Sequence, residues 1–238
     1  LKGKGPDDID FVVVRENTED AYAGIGGILK KGTAQEVAMQ QMVYTRHGVE
    51  RVIRFAFELA RKRNRQKKLM LVDKANAIRA QDIWTRTFAE VGEEFPDIEQ
   101  DHAYVDAACM WMIKNPESFD TVVTTNLFGD IITDLGAVLQ GGMGVAASGN
   151  IHPGQVSMFE SIHGSAPKYK GKNVSCPIAA IAAIQMMLDH LGEAGASARV
   201  EGAVESVLQD KDVTSVSASS GISTDEWGDR VVEKIRSL

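Results

Sequence analysis

Residues 121–139 read TVVTTNLFGDIITDLGAVL, a short β-branched run followed by a longer segment of helical periodicity. The run Thr121–Thr124 predicts a buried strand, and the segment from Leu127 to Leu139 predicts a helix. The same succession occurs twice upstream, with strands at 69–72 and 98–104 and helices at 79–91 and 105–114. Strands that alternate with helices are typical of an α/β fold with a largely parallel sheet.

The flanking segments predict further elements. Upstream we expect a buried strand, an imperfectly alternating hairpin arm and an amphipathic helix, at residues 9–14, 36–45 and 48–62. Downstream of a glycine-rich stretch we expect a strand, a buried helix and two further helical segments, with the first two at 156–159 and 177–188. The last helix opens with a capping box from Ser223 to Glu226. The change in pattern places a domain boundary near Gly141.

The composition disfavours several classes of protein. The 238 residues carry a formal net charge of -7, whereas a nucleic-acid surface needs basic residues to neutralise phosphates. The basic run at 61–68 is interpreted as a helix end, where cations suit the dipole. Cys109 and Cys176 provide neither a disulfide framework nor a zinc site, so we expect reduced thiols in a cytoplasmic compartment. The sequence contains no bilayer-spanning apolar stretch, and its start at Leu1 resembles a start in mid-fold.

Asp130 and Asp134 form the sharpest chemical pattern. They lie four residues apart at the start of the helix that follows strand 121–124. This spacing puts both carboxylates on one helix face, where a cation would relieve their repulsion, and hard oxygen ligands indicate Mg²⁺ or Mn²⁺. Two solvated acids in a first helical turn would give the same pattern. Because open α/β sheets bind ligands beyond the carboxyl ends of their strands, the two interpretations are about even.

Three other segments contain residue types that could act on a ligand. Lys74 follows a strand and could be a general base if burial lowered its pKa, although an ordinary surface lysine is favoured. Arg15 could bind a substrate carboxylate and Tyr22 could donate a proton, but a plain loop is again favoured. Small residues in 159–167 could leave backbone N–H groups free for phosphate. The segment 142–147 follows a helix and is rejected as a Rossmann fingerprint.

Four segments in order resemble the β-decarboxylating dehydrogenases, the family of isocitrate, isopropylmalate and tartrate dehydrogenases. They are VVVRENTEDAYAG at 12–24, DKANAI at 73–78 with YVDAACMWMI at 104–113, TTNLFGDIITDLGA at 124–137, and FESIHGSAPKYKGKNVSCPIA at 159–179. The resemblance covers essentially the whole chain, and the third segment together with HGSAP is highly specific.

The resemblance implies a two-domain, non-Rossmann α/β fold of the isopropylmalate dehydrogenase type, with the N-terminal part of the large domain missing. Residues 1–141 would be the small central and dimerisation domain that carries the substrate and metal residues. Residues 142–238 would be the C-terminal part of the large cofactor-binding domain. The active site would lie between the domains of an obligate homodimer, and Gln35 to Tyr44 is our candidate for an intersubunit arm.

The resemblance also implies an activity, the oxidative decarboxylation of a 2-hydroxy-3-carboxy acid with NAD or NADP and Mg²⁺ or Mn²⁺. Asp130 and Asp134 match metal ligands, and Asp106 matches a third ligand that the family takes from the other subunit. Hydride would leave C2 of the acid for the nicotinamide, and the β-keto acid formed would lose carbon dioxide.

Further matches assign acid–base, substrate and cofactor roles. Lys74 matches a base for the substrate hydroxyl, supplied in the family by the partner, and Tyr22 matches the acid that protonates the enolate. Arg15 matches a ligand of the substrate carboxylate. The residues that match the cofactor site are Asn76, Glu160, His163, Gly164, Ser165, Ala166, Pro167, Lys168, Tyr169 and Cys176.

Departures from the family pattern leave the cofactor and the substrate open. Lys168 and Tyr169 stand where NAD-preferring relatives carry an aspartate, which resembles NADP-preferring isocitrate dehydrogenases because a lysine attracts a 2′-phosphate. The short stretch from Val213 to Ser223 resembles isopropylmalate dehydrogenases instead, and Cys176 replaces an asparagine that contacts adenine. A 3-isopropylmalate-type substrate is expected, with isocitrate and tartrate as alternatives.

Two other classes of protein are alternatives to a dehydrogenase. A non-catalytic regulatory subunit of the family typically lacks the tyrosine, the lysine or a metal aspartate, and all of these are present here. In a metal-dependent lyase or hydrolase that binds no dinucleotide, the HGSAP loop would have no role. Because a truncated chain would leave unpaired sheet edges and apolar faces, we expect this chain alone to be poorly stable and weakly active.

Overall fold

A computed structural model describes residue 1 and residues 3–238, and the chain divides into two compact units, Leu1–Gly136 and Ala137–Leu238. The division lies within a few residues of the boundary expected near Gly141, while the roles assigned to the two domains stay predictions. In chain order the first unit contains β1 (Val12–Arg15), β2 (Gly26–Leu29), β3 (Val37–Gln40), α1 (Arg46–Arg63), β4 (Lys68–Asp73), α2 (Asp82–Gly92), β5 (Glu99–Tyr104), α3 (Val105–Lys114), β6 (Thr121–Thr124) and the start of α4 (Asn126–Gln140).

The centre of the first unit is a parallel sheet with the strand order β1-β6-β4-β5. One of its two central strands, β4, reads KLMLVD, and Leu69 to Val72 are at most 2% exposed. A continuous apolar run is what a strand needs when both sheet faces are covered. The predicted α/β fold with a parallel sheet is therefore confirmed.

Helix α1 covers one face of this sheet. Thr45 caps its start, because the hydroxyl accepts a hydrogen bond from Gly48 N at 3.0 Å. Val49, Ile53 and Phe57 recur at helical spacing and are fully buried in the main hydrophobic cluster. The helix ends at Asn64 in the left-handed conformation, after a last turn of basic residues, as the run at 61–68 predicted.

Two predicted elements in the first unit begin three residues later than expected. Strand β1 starts at Val12 rather than at residue 9, because its sheet partner β6 begins at Thr121 and the two strands pair from these residues onward. Helix α2 starts at Asp82, since Arg79–Gln81 forms a 3₁₀ turn. Strand β6 and helix α3 lie at their predicted positions.

Strands β2 and β3 form an antiparallel hairpin, with Ile28 opposite Ala38. Every residue of both strands is exposed. The apolar residues Ile28, Leu29 and Met39 are about half exposed, at 49%, 56% and 52%. The sequence predicted an arm here, and its use as an intersubunit contact stays a prediction.

The second unit contains β7 (Ala147–Asn150), β8 (Met158–Ser161), α5 (Ile178–His190), α6 (Ala194–Leu208) and α7 (Thr224–Ser237). Ile178, Val207 and Trp227 lie in its hydrophobic core. Ser223 caps α7 through its hydroxyl, which accepts from Glu226 N at 3.2 Å. No helix in the described part of the chain is long and apolar enough to cross a membrane.

Two predictions for the second unit were inaccurate. The strand expected at 156–159 lies at Met158–Ser161, and Val156 is 94% exposed, because β8 pairs with β7 only from Met158 onward. Helix α5 was expected to be buried, yet Ile184 is 52% exposed. The helix is apolar on all sides, while α6, β7 and β8 cover only part of its circumference.

Candidate functional site

The four parallel strands of the first unit end at Arg15, Asp73, Tyr104 and Thr124, and parallel strands present these ends at one edge. Open α/β sheets bind their ligands outside this carboxyl edge. The predicted residues at or just beyond these ends are Arg15, Lys74, Asn76, Asp106, Asp130 and Asp134. The topology therefore brings to one edge residues that are far apart in the sequence.

Arg15 joins the end of β1 to the first turns of α4. Its Nε and Nη2 atoms donate to Asn126 Oδ1 at 3.0 and 2.7 Å, and its Nη1 atom donates to Asp130 Oδ1 at 2.9 Å. The Arg15 and Asp130 side chains are 25% and 48% exposed. We name Arg15, Asn126 and Asp130 the Arg15 cluster; it presents a guanidinium beside an accessible carboxylate.

Gly129 allows Arg15 to lie against α4. A β-carbon at this position would come within 2.5 Å of Arg15 Cγ and 2.8 Å of Arg15 Cβ. Carbon atoms pack at 3.5–4.0 Å, so any larger residue would displace the arginine stem. Gly129 and Asn126 were not predicted as functional positions, although both lie within the segment TTNLFGDIITDLGA at 124–137.

Tyr22 lies beside the Arg15 cluster, with its ring centroid 5.5 Å from the Arg15 guanidinium carbon. Tyr22 is 54% exposed. The short 3₁₀ turn that holds Tyr22 begins at Asp20, whose buried carboxylate accepts from Ala21 N at 2.8 Å and from Leu127 N at 3.0 Å. Since Leu127 is in the first turn of α4, Asp20 fastens the tyrosine turn to that helix, where a negative charge is favourable.

Lys74 and Asp106 form a second pair at the same sheet edge. Lys74 Nζ donates to Asp106 Oδ1 at 2.5 Å, and it lies 5.8 Å from the centroid of the Tyr104 ring. The hydrogen bond from Lys74 lowers the pKa of Asp106 below its usual value. Asn76 is exposed in the turn after Lys74. The structure thus pairs Asp106 with Lys74.

The acidic residues partly fit a magnesium or manganese site. Asp130 and Asp134 share a face of α4, both are accessible, and their oxygen atoms are hard ligands. Among the described residues, no three acidic, histidine or cysteine side chains converge on one point. One chain therefore offers two carboxylates, a number that suits Mg²⁺ when substrate and water complete its shell.

The residues matched to the cofactor site fall in the second unit, apart from Asn76. Glu160 lies in β8 and accepts from Asn150 Nδ2 at 3.2 Å. In the loop that follows, Gly164 and Ser165 are exposed, and Ala166 adopts a left-handed φ of 42° before the 3₁₀ turn Pro167–Tyr169. Lys168 Nζ lies 4.7 Å from the centroid of the Tyr169 ring. His163 Nδ1 is 2.8 Å from Gly164 O.

Cys176 differs from the other residues of this set because its side chain is buried in the core of the second unit. Burial raises the pKa of its thiol. Only 8% of the residue is exposed, so its part in the cofactor site is a prediction that rests on sequence position.

Comparison with known proteins gives a consistent result. A family model described as isocitrate/isopropylmalate dehydrogenase matches residues 1–231. The 3-isopropylmalate dehydrogenase of Thermobifida fusca is 49% identical over 99% of this chain and 66% of its own length. That of Frankia casuarinae is 53% identical over 85% of this chain and 60% of its own length.

Solved structures agree with the sequence comparisons. The isocitrate dehydrogenase from Methylococcus capsulatus superposes with a TM-score of 0.89 at 41% identity, covering 96% of this chain and 68% of that one. The TT0538 protein from Thermus thermophilus gives 0.90 at 39% identity, covering 99% of this chain and 47% of that one. The chain thus spans between 60% and 68% of the length of the curated relatives it matches.

Proposed function

Because the chain belongs to the isocitrate/isopropylmalate dehydrogenase family, we propose that it is the catalytic part of a metal-dependent, NAD(P)-linked dehydrogenase. The proposed reaction is the oxidative decarboxylation of a 2-hydroxy-3-carboxy acid of the 3-isopropylmalate type. The observation that carries the proposal is the Arg15 cluster, which puts a carboxylate-binding group next to a carboxylate suited to a divalent cation. The names of the curated relatives support the choice of substrate.

The residues of the chain have separate tasks in this reaction. Arg15 binds a carboxylate of the substrate through its planar fork of donors. Lys74, in its neutral amine form, accepts the proton of the C2 hydroxyl while hydride leaves C2, and after carbon dioxide is lost Tyr22 donates a proton to C3. Asp130 and Asp134 would hold Mg²⁺ or Mn²⁺. A bound metal ion would polarise the C2 oxygen, and a bound oxidised nicotinamide would accept the hydride.

We further propose that the complete site forms in a homodimer. Lys74 and Asp106 pair with each other, and Asp106 does not join Asp130 and Asp134 among the described residues. A second copy could therefore supply Asp106 as the third acidic ligand, together with Lys74. The exposed apolar residues of the hairpin β2–β3 support an intersubunit role for this arm.

The second unit is the proposed site of the dinucleotide. The loop with Gly164 and Ser165 offers small residues and exposed backbone, and Glu160 lies at its start. Lys168 supports NADP, since an ammonium group attracts a 2′-phosphate, whereas the names of the curated relatives do not decide between NAD and NADP. Isocitrate stays an alternative substrate because the Methylococcus structure has that name.

The test is the absorbance of reduced nicotinamide, recorded with the protein expressed from its natural reading frame. Reactions would contain Mg²⁺, NAD or NADP, and isopropylmalate, isocitrate or tartrate in turn. We expect turnover with one pair, and its loss in Asp130→Asn. Asp229→Asn is the matched control, because Asp229 is exposed on α7 in the second unit. Absence of turnover with every pair in a folded protein would contradict the proposal and favour a regulatory subunit.

A further inference from the structure

A continuous set of four hydrogen bonds crosses the interior of the first unit. Lys74 N donates to Gln81 Oε1 at 2.7 Å, and Gln81 Nε2 donates to Tyr44 Oη at 2.8 Å. Tyr44 Oη donates in turn to Asp20 Oδ1 at 2.9 Å, and the other carboxylate oxygen accepts from Leu127 N at 3.0 Å. We name these four hydrogen bonds the Tyr44–Gln81 relay.

The relay connects segments that serve two copies of the site in the proposed homodimer, because Lys74 would act in the partner's site, whereas Tyr22 and Asp130 act in the site of their own chain. At one end it fixes the backbone of Lys74. At the other end it fixes the first turn of α4, which immediately precedes the turn that carries Asp130. Asp20 also begins the turn that holds Tyr22. A displacement of either end therefore moves the donor or acceptor atom with which the next residue of the relay forms its hydrogen bond.

Burial makes the two inner side chains of the relay, Gln81 and Asp20, dependent on their protein partners. Gln81 is completely buried and Asp20 is 1% exposed, so neither side chain can exchange its protein partner for bulk water. Burial also raises the pKa of Tyr44 well above its ordinary value, which keeps the phenol protonated and able to donate. Three of the four hydrogen bonds therefore run from the Lys74 amide towards the Asp20 carboxylate, and the fourth reaches the same carboxylate from Leu127 N.

We propose that Tyr44 and Gln81 are positioning residues, which hold the Lys74 turn in a fixed relation to the Tyr22 turn and to helix α4. Neither side chain is assigned a contact with substrate, metal or cofactor. Their effect on turnover would come from placing the base, the acid and the acidic pair, for which small displacements cost large factors in rate. The effect on turnover rests on the proposed function, whereas the structural coupling does not.

Two variants interrupt the relay at different members. Tyr44→Phe removes the hydroxyl and leaves the ring, and Gln81→Met keeps a similar length without donor or acceptor. Thr87→Val is the matched control: Thr87 is fully buried in α2, and its hydroxyl has no hydrogen-bond partner in the described part of the chain. All three variants would be made in the protein expressed from its natural reading frame.

The kinetic measurement separates positioning from stability. We expect each relay variant to lower kcat about tenfold or more with KM unchanged, while Thr87→Val keeps the kcat of the unaltered protein. The double variant should be no slower than the slower single variant, because either change interrupts the same relay. Variants that lose thermal stability but keep kcat, or whose effects multiply, would overturn the proposal.

Amide hydrogen exchange tests the same coupling without any substrate. In Tyr44→Phe, Gln81 Nε2 loses its acceptor, so the Lys74 amide should exchange faster although Lys74 does not touch Tyr44 in the relay. The Leu127 amide should also exchange faster, and Thr87→Val should change neither. Unchanged exchange at Lys74 would overturn the relay, even if the unaltered protein turned over normally. Absence of turnover in the unaltered protein would instead contradict the proposed function, and the exchange result would still decide the relay.

Discussion

Replacing Gly129 by alanine tests whether the approach of Arg15 to α4 shapes the site. The added β-carbon would lie 2.5, 2.8 and 2.9 Å from Cγ, Cβ and Cδ of Arg15. Since Arg15 Cβ is fixed to strand β1, the stem cannot swing aside as a flexible tip could. Overpacking of this kind lowers the free energy of unfolding by about 1–3 kcal/mol, and the better helix propensity of alanine offsets about 1 kcal/mol of that loss. We therefore expect a net loss of about 0–2 kcal/mol in the free energy of unfolding.

The guanidinium must shift with its stem, so the hydrogen bonds to Asn126 and Asp130 should weaken. A loss of about 1.4 kcal/mol in substrate binding corresponds to a tenfold rise in KM. Denaturant unfolding and steady-state kinetics measure the two effects. The matched control is Gly228→Ala in α7, where a β-carbon meets no atom within 4 Å, so that a gain of about 1 kcal/mol is expected. A Gly129→Ala variant that is stabilised as much as this control and keeps its KM would contradict a tight approach of Arg15 to α4.

Three further substitutions test local features of the fold. Asn64→Ala should destabilise the protein by about 1 kcal/mol in thermal unfolding, because the residue ends α1 with a left-handed φ of 49°. Ser223→Ala should cost about 1 kcal/mol by removing the cap of α7, and Ser223→Thr should restore most of it. The hydrogen bonds from Arg54 lower the pKa of Glu94, so this pair stabilises the fold above the unfolded pKa of about 4.3 and ceases to do so as pH falls through the folded pKa. The difference in unfolding free energy between the protein and Glu94→Gln should accordingly shrink in acid, and a constant difference would contradict this account.

The strands and helices whose positions depend on the local pattern of apolar residues were predicted well. The apolar run of β4 and the helical spacing of Val49, Ile53 and Phe57 are visible in the sequence because burial acts on neighbouring residues. Element ends were less accurate. The length of β1 depends on β6, a strand that lies more than a hundred residues further along the chain.

The contacts between residues of the candidate site could not be predicted from local sequence patterns. Arg15 and Asn126 come into contact only because β1 pairs with β6. The sequence around each residue does not indicate which strand its own strand will pair with. The partners Tyr44 and Gln81 are likewise separated in the chain by helix α1 and strand β4, and each by itself is an ordinary polar residue. Asp130 and Asp134 could be singled out because their spacing alone places them on one helix face.

The strand order β1-β6-β4-β5 also has a consequence for how the chain is made. Strand β6 pairs with both β1 and β4, although it is the last of the four to leave the ribosome. Until residue 124 has been synthesised, β1 lacks the strand with which it pairs and β4 has one open side. Contacts of such long sequence separation slow folding, and open strand edges invite pairing between chains. A nascent chain stopped before residue 121 should therefore depend more on chaperones than one stopped well after residue 140.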